Sequence, residues 1–323
     1  MGAYDLDLKD KKILQELDFD ARQTFSQLAK KVGLSKQVVE YRVNNLMKKK
    51  ILTGFYPVIN IPKLGYYYCR LAITLQNISP EEYDGIFDDL NKDKRVFWLF
   101  ETQGSFELFF GVWMKSLNDF RLFIQKFMEK YSKFVKNKTE NVATDVVHYQ
   151  HRYLLGKKET REIHIAETSK RVEIDDMDRK ILELLCENAR MSLVDMGTRL
   201  KENPKTISYR ISRMEKLRLI ECYRTKIDHN ALGLTYYKIF LNIKNYDSKH
   251  LLKLEEFIKS NPASIYFIRG IALHGDIDFE MMIQDNKVLF DFIKSLRKEF
   301  PKIIENYNTI IYIGTIKVRY LPF

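Results

Sequence analysis

The chain has 323 residues, 45% of them hydrophobic and 30% charged, with a net charge of +11, enough for two to four modest domains with proper cores. No run approaches the roughly 18 uncharged apolar residues of a membrane span, and residues 1–10 offer no signal-peptide core, so a cytoplasmic protein with no membrane partner is expected. Cys69, Cys186 and Cys222 are scattered and form neither a disulfide framework nor a CxxC metal motif, and no cofactor is expected.

Asp7 stands where it can cap a first helix, whose apolar face carries Ile13, Leu14 and Leu17. Thr24 and Gln27 read as a capping box for a second, with Phe25, Leu28, Ala29 and Val32 at i, i+3, i+4 and i+7. Gly33 stops it, and Ser35 caps a third helix whose buried stripe is Val39, Val43 and Leu46. Only three residues separate the second and third helices, which is helix-turn-helix spacing. The β-rich stretch 51–59 then suits a small hairpin or wing. Beyond it the hydrophobic period changes from 3.6 to 2. A strand is expected at 66–77, a helix at 79–91, strands at 96–102 and 106–114, a helix at 116–134 and a strand at 142–153. That order, β-α-β-β-α-β, is the ferredoxin-like arrangement. Its crowded rings, among them Tyr68, Phe97, Trp98, Phe109 and Trp113, suit strands buried on both faces, one under helices and one against a second sheet. Residues 156–170 are polar and aperiodic, and read as a linker.

The pattern then begins again. Residues 7–77 align without a gap to residues 175–245, with about 16 of 71 positions identical. Asp175, Ser192 and Asn203 fall at the three caps, Pro204 opens the third helix, and Ile207, Ile211 and Met214 form its stripe. A second wing is expected at 219–227, then strands and helices at 234–245, 249–260, 265–271, 277–283, 288–300 and 309–320. The expected fold is α+β, two winged helix-turn-helix domains (1–60 and 173–228) alternating with two ferredoxin-like βαββαβ domains (61–155 and 229–323), joined by a linker at 156–172. The positive charge follows the same plan: residues 21–50 carry +7 and residues 189–218 carry +5, leaving the remainder near neutral. Excess charge confined to two matched segments calls for a polyanion, and nucleic acid is the expected one.

Taken together these residues resemble the Lrp/AsnC family of feast-famine transcription regulators, doubled into one polypeptide. The resemblance rests on Asp10, Ile13-Leu14, Ala21-Arg22, Leu28-Ala29-x-x-Val32-Gly33-Leu34-Ser35, Tyr41-Arg42 and Leu64-Gly65. In the second copy it rests on Asp178, Ile181-Leu182, Ala189-Arg190, Tyr209-Arg210 and Leu232-Gly233. It implies that each ferredoxin-like unit is an effector and dimerisation domain with a Gly-x-x-Asp turn. Gly275-Asp276-Ile277-Asp278 fits that turn and Gly104-Ser105-Phe106-Glu107 is a weaker version. An effector, such as an amino acid, is therefore expected near Gly104, Glu107, Gly275, Asp276 and Asp278, where an ordinary hairpin turn is the other reading. Homo-oligomerisation through the ferredoxin-like domains is implied too. The sequence departs from the family in replacing Gly-Leu-Ser by Lys201-Glu202-Asn203, and in placing Lys50 and Arg218 where a glycine usually precedes the wing.

Double-stranded DNA is the expected partner. In a helix-turn-helix the first turns of the third helix meet base edges while flanking basic residues hold phosphates. The residues so placed are Ser35, Lys36, Gln37, Glu40, Tyr41, Arg42, Asn44 and Lys48 in the first copy, and Lys205, Thr206, Ser208, Tyr209, Arg210, Ser212 and Arg213 in the second. Gln37 suits adenine, and Lys36 or Lys205 guanine. Arg42 and Arg210 suit either a phosphate or an acid on the first helix, and Arg22 and Arg190 a structural or phosphate-positioning role. Because the two helices differ, Gln37 against Thr206 and Glu40 against Ser208, unlike half-sites are expected. The competing reading is an enzyme: siroheme decarboxylases resemble the same family, and His148-x-x-His151 is a candidate pair. Strand geometry predicts opposite faces for those two rings, and the basic third helices argue for the regulator. No phosphate loop or nucleophile elbow occurs.

Overall fold

The computed structural model describes residues 4–157, 161–166, 170–271 and 275–323. The first copy opens with α1 (Leu8–Phe19), α2 (Phe25–Val32) and α3 (Lys36–Lys48), followed by β1 (Leu52–Ile59). It continues with β2 (Tyr67–Leu75), α4 (Pro80–Lys92), β3 (Val96–Gly104), β4 (Leu108–Met114), α5 (Leu117–Tyr131) and β5 (Val135–His148). After β6 (Ile163–Ala166) come α6 (Asp176–Glu187), α7 (Leu193–Leu200), α8 (Pro204–Lys216) and β7 (Ile220–Ile227). The last elements are β8 (Thr235–Ile243), α9 (Ser248–Ser260), β9 (Ser264–Ile271), β10 (Ile277–Ile283), α10 (Asn286–Glu299) and β11 (Ile304–Val318). The chain is thus α+β.

The caps are made as the sequence asks. Asp7, Thr24, Ser35, Asp175, Ser192 and Asn203 each accept a backbone N–H at the start of their helix, and Thr24 with Gln27 completes a capping box.

Two expectations are corrected here. The stretches at 51–59 and 219–227 are not hairpins. Each is a single strand, and β1 pairs with β7 antiparallel, from Leu52 opposite Ile227 to Ile59 opposite Ile220. The ribbon therefore joins the two copies. Each first helix packs on the other copy's strand, α1 on β7 and α6 on β1. Ala21 N–H donates to Tyr223 O at 3.0 Å and Ala189 N–H to Phe55 O at 3.2 Å. A single hydrophobic core runs through both three-helix units, from Leu14 and Val43 to Leu182 and Ile211. The second correction concerns the linker: within 156–170 the strand β6 pairs with β5, His164 opposite Val147. Positions 158–160 and 167–169 of that stretch lie outside the described residues.

The remaining strands close on themselves. Each copy orders its four strands as a ferredoxin-like sheet does, β5-β2-β4-β3 and β11-β8-β10-β9. The sheets then join at both edges, β3 to β11 and β5 to β9, giving a closed eight-stranded barrel from one chain. Period-two alternation explains the long apolar runs. On β2, Cys69, Leu71 and Ile73 face α4 and α5, while Ala72 joins Phe109, Phe240 and Tyr312 in the interior. Closure needs glycine at two crossings. A Cβ on Gly104 would lie 2.5 Å from Thr309 O, and one on Gly270 2.4 Å from Val142 O.

Candidate nucleic-acid interface and an interior cavity

α3 and α8 present matched outward faces. Val39, Val43 and Leu46 are buried on one, Ile207, Ile211 and Met214 on the other. Ser35, Lys36, Gln37, Glu40, Asn44 and Lys48 are exposed, as are Lys205 and Ser212; Thr206 and Ser208 are half-buried. The equivalent rings of Tyr41 and Tyr209 are 70% and 71% exposed, an unusual state for tyrosine that both copies keep.

Three expected DNA contacts are placed otherwise. Arg42 reaches Asp7 at 2.7 Å and Asp10 at 2.8 Å, and Arg210 reaches Asp175 at 2.8 Å and Asp178 at 2.9 Å. Arg213 also pairs with Asp178, at 3.1 Å. These guanidiniums tie the third helix to the first, so the acid partner prevails over phosphate. The backbone N–H of Asp10 at the N-cap and the Arg42 charge hold the Asp7 carboxyl below its ordinary range. Arg22 and Arg190 are structural: Arg22 donates to Ala189 O, and Arg190 to Ala21 O and Gln23 O, so each copy clasps the other's helix turn.

The expected effector residues are likewise committed to the fold. Asp278 is buried and bidentate with Arg70, at 3.2 and 2.7 Å, and also binds Lys238. Asp276 accepts from Ile243 N–H at 2.6 Å, and Glu107 from Leu75 N–H at 3.0 Å. Gly104 serves the crossing described above, and a Cβ on Gly275 would meet Leu241 O at 2.7 Å. The turn residues 272–274 lie outside the described residues.

Sequence reasoning missed a cavity of about 330 Å³ between the β1–β7 ribbon and the adjoining end of the barrel. Tyr56, Tyr68, Trp98, Trp113, Tyr266 and Tyr320 contribute rings to its wall, and Arg224 and Lys226 approach from the ribbon. His148 and His151 both line it, against the expectation of opposite faces, because β5 ends at His148 and the chain turns into a short 3-10 segment at Arg152–Leu154. Burial lowers both imidazoles, His148 to about 3 and His151 to about 4, so both rings are neutral at pH 7. Arg224 is held by Asp18 of the other copy at 2.9 and 2.8 Å. Burial alone would raise the Asp18 carboxyl, but the Arg224 charge prevails and lowers it to about 2.

A family description of an AsnC-type helix-turn-helix domain matches residues 174–215, and one of a winged helix-turn-helix DNA-binding domain matches residues 6–53. The HTH-type transcriptional regulator LrpA of Pyrococcus horikoshii is 33% identical over 114 residues, 35% of this chain and 79% of that protein. The chain belongs to the Lrp/AsnC family. Other relatives are the transcriptional regulator AzlB of Bacillus subtilis, 32% identical over 37% of this chain and 76% of its own length, and the regulatory protein AsnC of Haemophilus influenzae, 30% identical over 34% and 72%. Each matches little more than a third of this Lrp/AsnC chain, as a doubled unit requires. Over almost its whole length the fold is similar to that of the siroheme decarboxylase NirDL, with a TM-score of 0.64 at 13% identity, covering 96% of this chain and 93% of that one. Among the described residues no helix is long and apolar enough to cross a membrane.

Proposed function

We propose that the chain is a sequence-specific double-stranded DNA-binding transcription regulator whose two helix-turn-helix units, set on two ferredoxin-like units, read unlike half-sites. The observation that carries this reading is the pair of outward faces on α3 and α8. They match in carrying positive charge at Lys36 and Lys205 near their starts and in Tyr41 and Tyr209, yet differ where Gln37 corresponds to Lys205, Val38 to Thr206 and Glu40 to Ser208. A shared core and ribbon fix the two faces to one another, as two half-sites of one operator require. With Arg42, Arg210 and Arg213 engaged by acids, phosphate contacts fall to Lys36, Lys48 and Lys205, and base contacts to Gln37, Asn44, Thr206 and Ser212. Assembly of several chains runs through the outward helices, where Leu122, Leu252 and Phe290 are exposed, because both sheets already meet edge to edge within one chain. Selection of DNA fragments by the purified chain tests the reading. The expected product is an asymmetric site, with Gln37→Ala and Thr206→Ala relaxing preference in different halves. A perfect palindrome with equal losses from both substitutions refutes it.

A second reading, an enzyme acting on a tetrapyrrole like the neighbour of similar fold, is favoured by the cavity and its two neutral histidines. Titration with iron-uroporphyrin III separates the two: a saturable change in the absorption spectrum supports the enzyme, and none is expected for the regulator.

A further inference from the structure

The charges around the cavity do not balance locally. Four charged side chains line it: Arg224, Lys226, Glu280 and Arg319. Arg224 is answered by Asp18, and Glu280 by Lys238 at 2.9 Å with Tyr312 donating at 3.1 Å. Lys226 has no acidic partner among the described residues; its ammonium lies over the Tyr320 ring, 4.8 Å from the centroid, and burial lowers its pKa. Arg319 is engaged elsewhere: its guanidinium donates to Lys94 O and to an oxygen of Phe323, both at 3.3 Å, and its backbone N–H to Phe97 O. Lys226 thus borders a partly open cavity without a carboxylate partner among the described residues, which favours an anion there. The walls define the rest of the ligand. Tyr56 and Tyr320 stack at 4.8 Å with planes 16° apart, and His148 meets Tyr266 edge-on at 4.6 Å. The indole Nε1 of Trp113 and the Nδ1 atoms of His148 and His151 are buried with no hydrogen-bond partner among the described residues, so polar capacity remains inside an otherwise apolar wall. A volume of about 330 Å³ lies at the small end of the range for ligand pockets, roughly 300–1,000 Å³.

We propose that this cavity binds a planar aromatic carboxylate of one or two rings, the ring lying against the tyrosines and the carboxylate answering Lys226. The site is independent of the reading of the helices, because its occupancy is measured without DNA. The chain has two tryptophans, Trp98 and Trp113, and both line the cavity, so intrinsic fluorescence excited at the red edge reports on it directly. The full chain is titrated with trans-cinnamate, with cinnamyl alcohol (ring without charge) and with hexanoate (charge without ring). Saturable quenching by cinnamate, at least ten-fold tighter than by either control, is expected. Lys226→Gln is expected to weaken cinnamate at least ten-fold while lowering the unliganded melting temperature only slightly, since that lysine loses its contact with the Tyr320 ring but no acid. Lys226→Arg should restore most of the affinity. No saturable binding, equal binding of the alcohol, or cinnamate affinity indifferent to Lys226→Gln each overturns the proposal.

Discussion

Three pairs of corresponding residues show what the backbone demands of single positions. Gly33 and Lys201 end the second helix of their copies with φ of +65° and +54°, and Lys50 and Arg218 precede the ribbon strands at +56° and +53°. A third pair, Gly65 and Gly233, closes the short 3-10 turns after the ribbon strands at +83° and +67°. A side chain in the left-handed region costs roughly 1–2 kcal/mol, partly offset when glycine replaces it because glycine is freer unfolded. Lys201→Gly should therefore stabilise the protein by about 1 kcal/mol or less, and Gly33→Lys should destabilise it by a similar amount. The nearest atom to a Cβ at Gly33 is Lys9 Nζ at 3.7 Å, so crowding does not confuse the comparison. Urea midpoints shifting in the same direction for both variants would sink the argument. The buried histidines make a second residue-scale prediction. Their folded pKa values, about 3 for His148 and about 4 for His151, lie below the ordinary 6.5, so the unfolded chain binds more protons as pH falls. Their contribution is whole above pH 6.5 and is lost progressively down to about pH 4 for His151 and about pH 3 for His148. The urea midpoint of the wild type should fall across that window, and less steeply in a His148→Gln, His151→Gln variant.

At the scale of elements, the helices were the most legible part of the sequence. Caps such as Ser35 and Asn203 and the 3.6-residue stripes fix their ends and buried faces locally, and no distant contact is needed to read them. The strands of the barrel were legible in type but less so in extent; β5 begins at Val135, where 142 is expected, because a neighbouring strand continues the ladder over polar residues such as Lys138 and Glu140. The partner of β1 was not legible. Residues 51–59 carry the composition of a strand, and nothing local says that it pairs with a strand 168 positions away. The DNA-binding residues divide the same way: exposure of Lys36 and Gln37 follows from periodicity, whereas the engagement of Arg42 by Asp7 and Asp10 depends on how α1 crosses α3. One consequence is quantitative. Neutralising Lys36 and Lys205 together should lower the slope of log affinity against log salt by about 2, one for each phosphate that no longer meets a cation. Arg42→Gln should instead lower stability, and a change in salt slope with no loss of stability in that variant would return it to the DNA.

For the whole molecule, the deciding fact is that the two copies are complementary rather than alike. Asp18 on α1 pairs with Arg224 on β7, whereas the corresponding positions in the opposite arrangement hold Cys186 and Tyr56. In the barrel Arg70 corresponds to Lys238, but the carboxylates that serve both, Asp278 and Glu280, come only from β10; β4 has Phe109 and Gly111 at the matching pairings. Two copies of the first half brought together would bury Asp18 without its arginine and Arg70 without its acid. Two of the second would bury Arg224 unpaired. The buried charges therefore direct each half to the other within one chain, a register role that ion pairs of this kind can serve even where they add little net stability. Asp18→Cys and Arg224→Tyr test this role directly, because they write the residues of one arrangement into the other. Each alone strands a buried charge and should cost about 3–5 kcal/mol. Combined, they remove both charges and install a pair the fold already holds on its opposite side, so the double variant should be far more stable than the sum of the singles implies. Asp18 also accepts from His151 N–H at 2.9 Å, so some loss remains in the double variant. Urea unfolding of the three variants measures the coupling, and additive losses would show that the pair does not set the pairing of the halves.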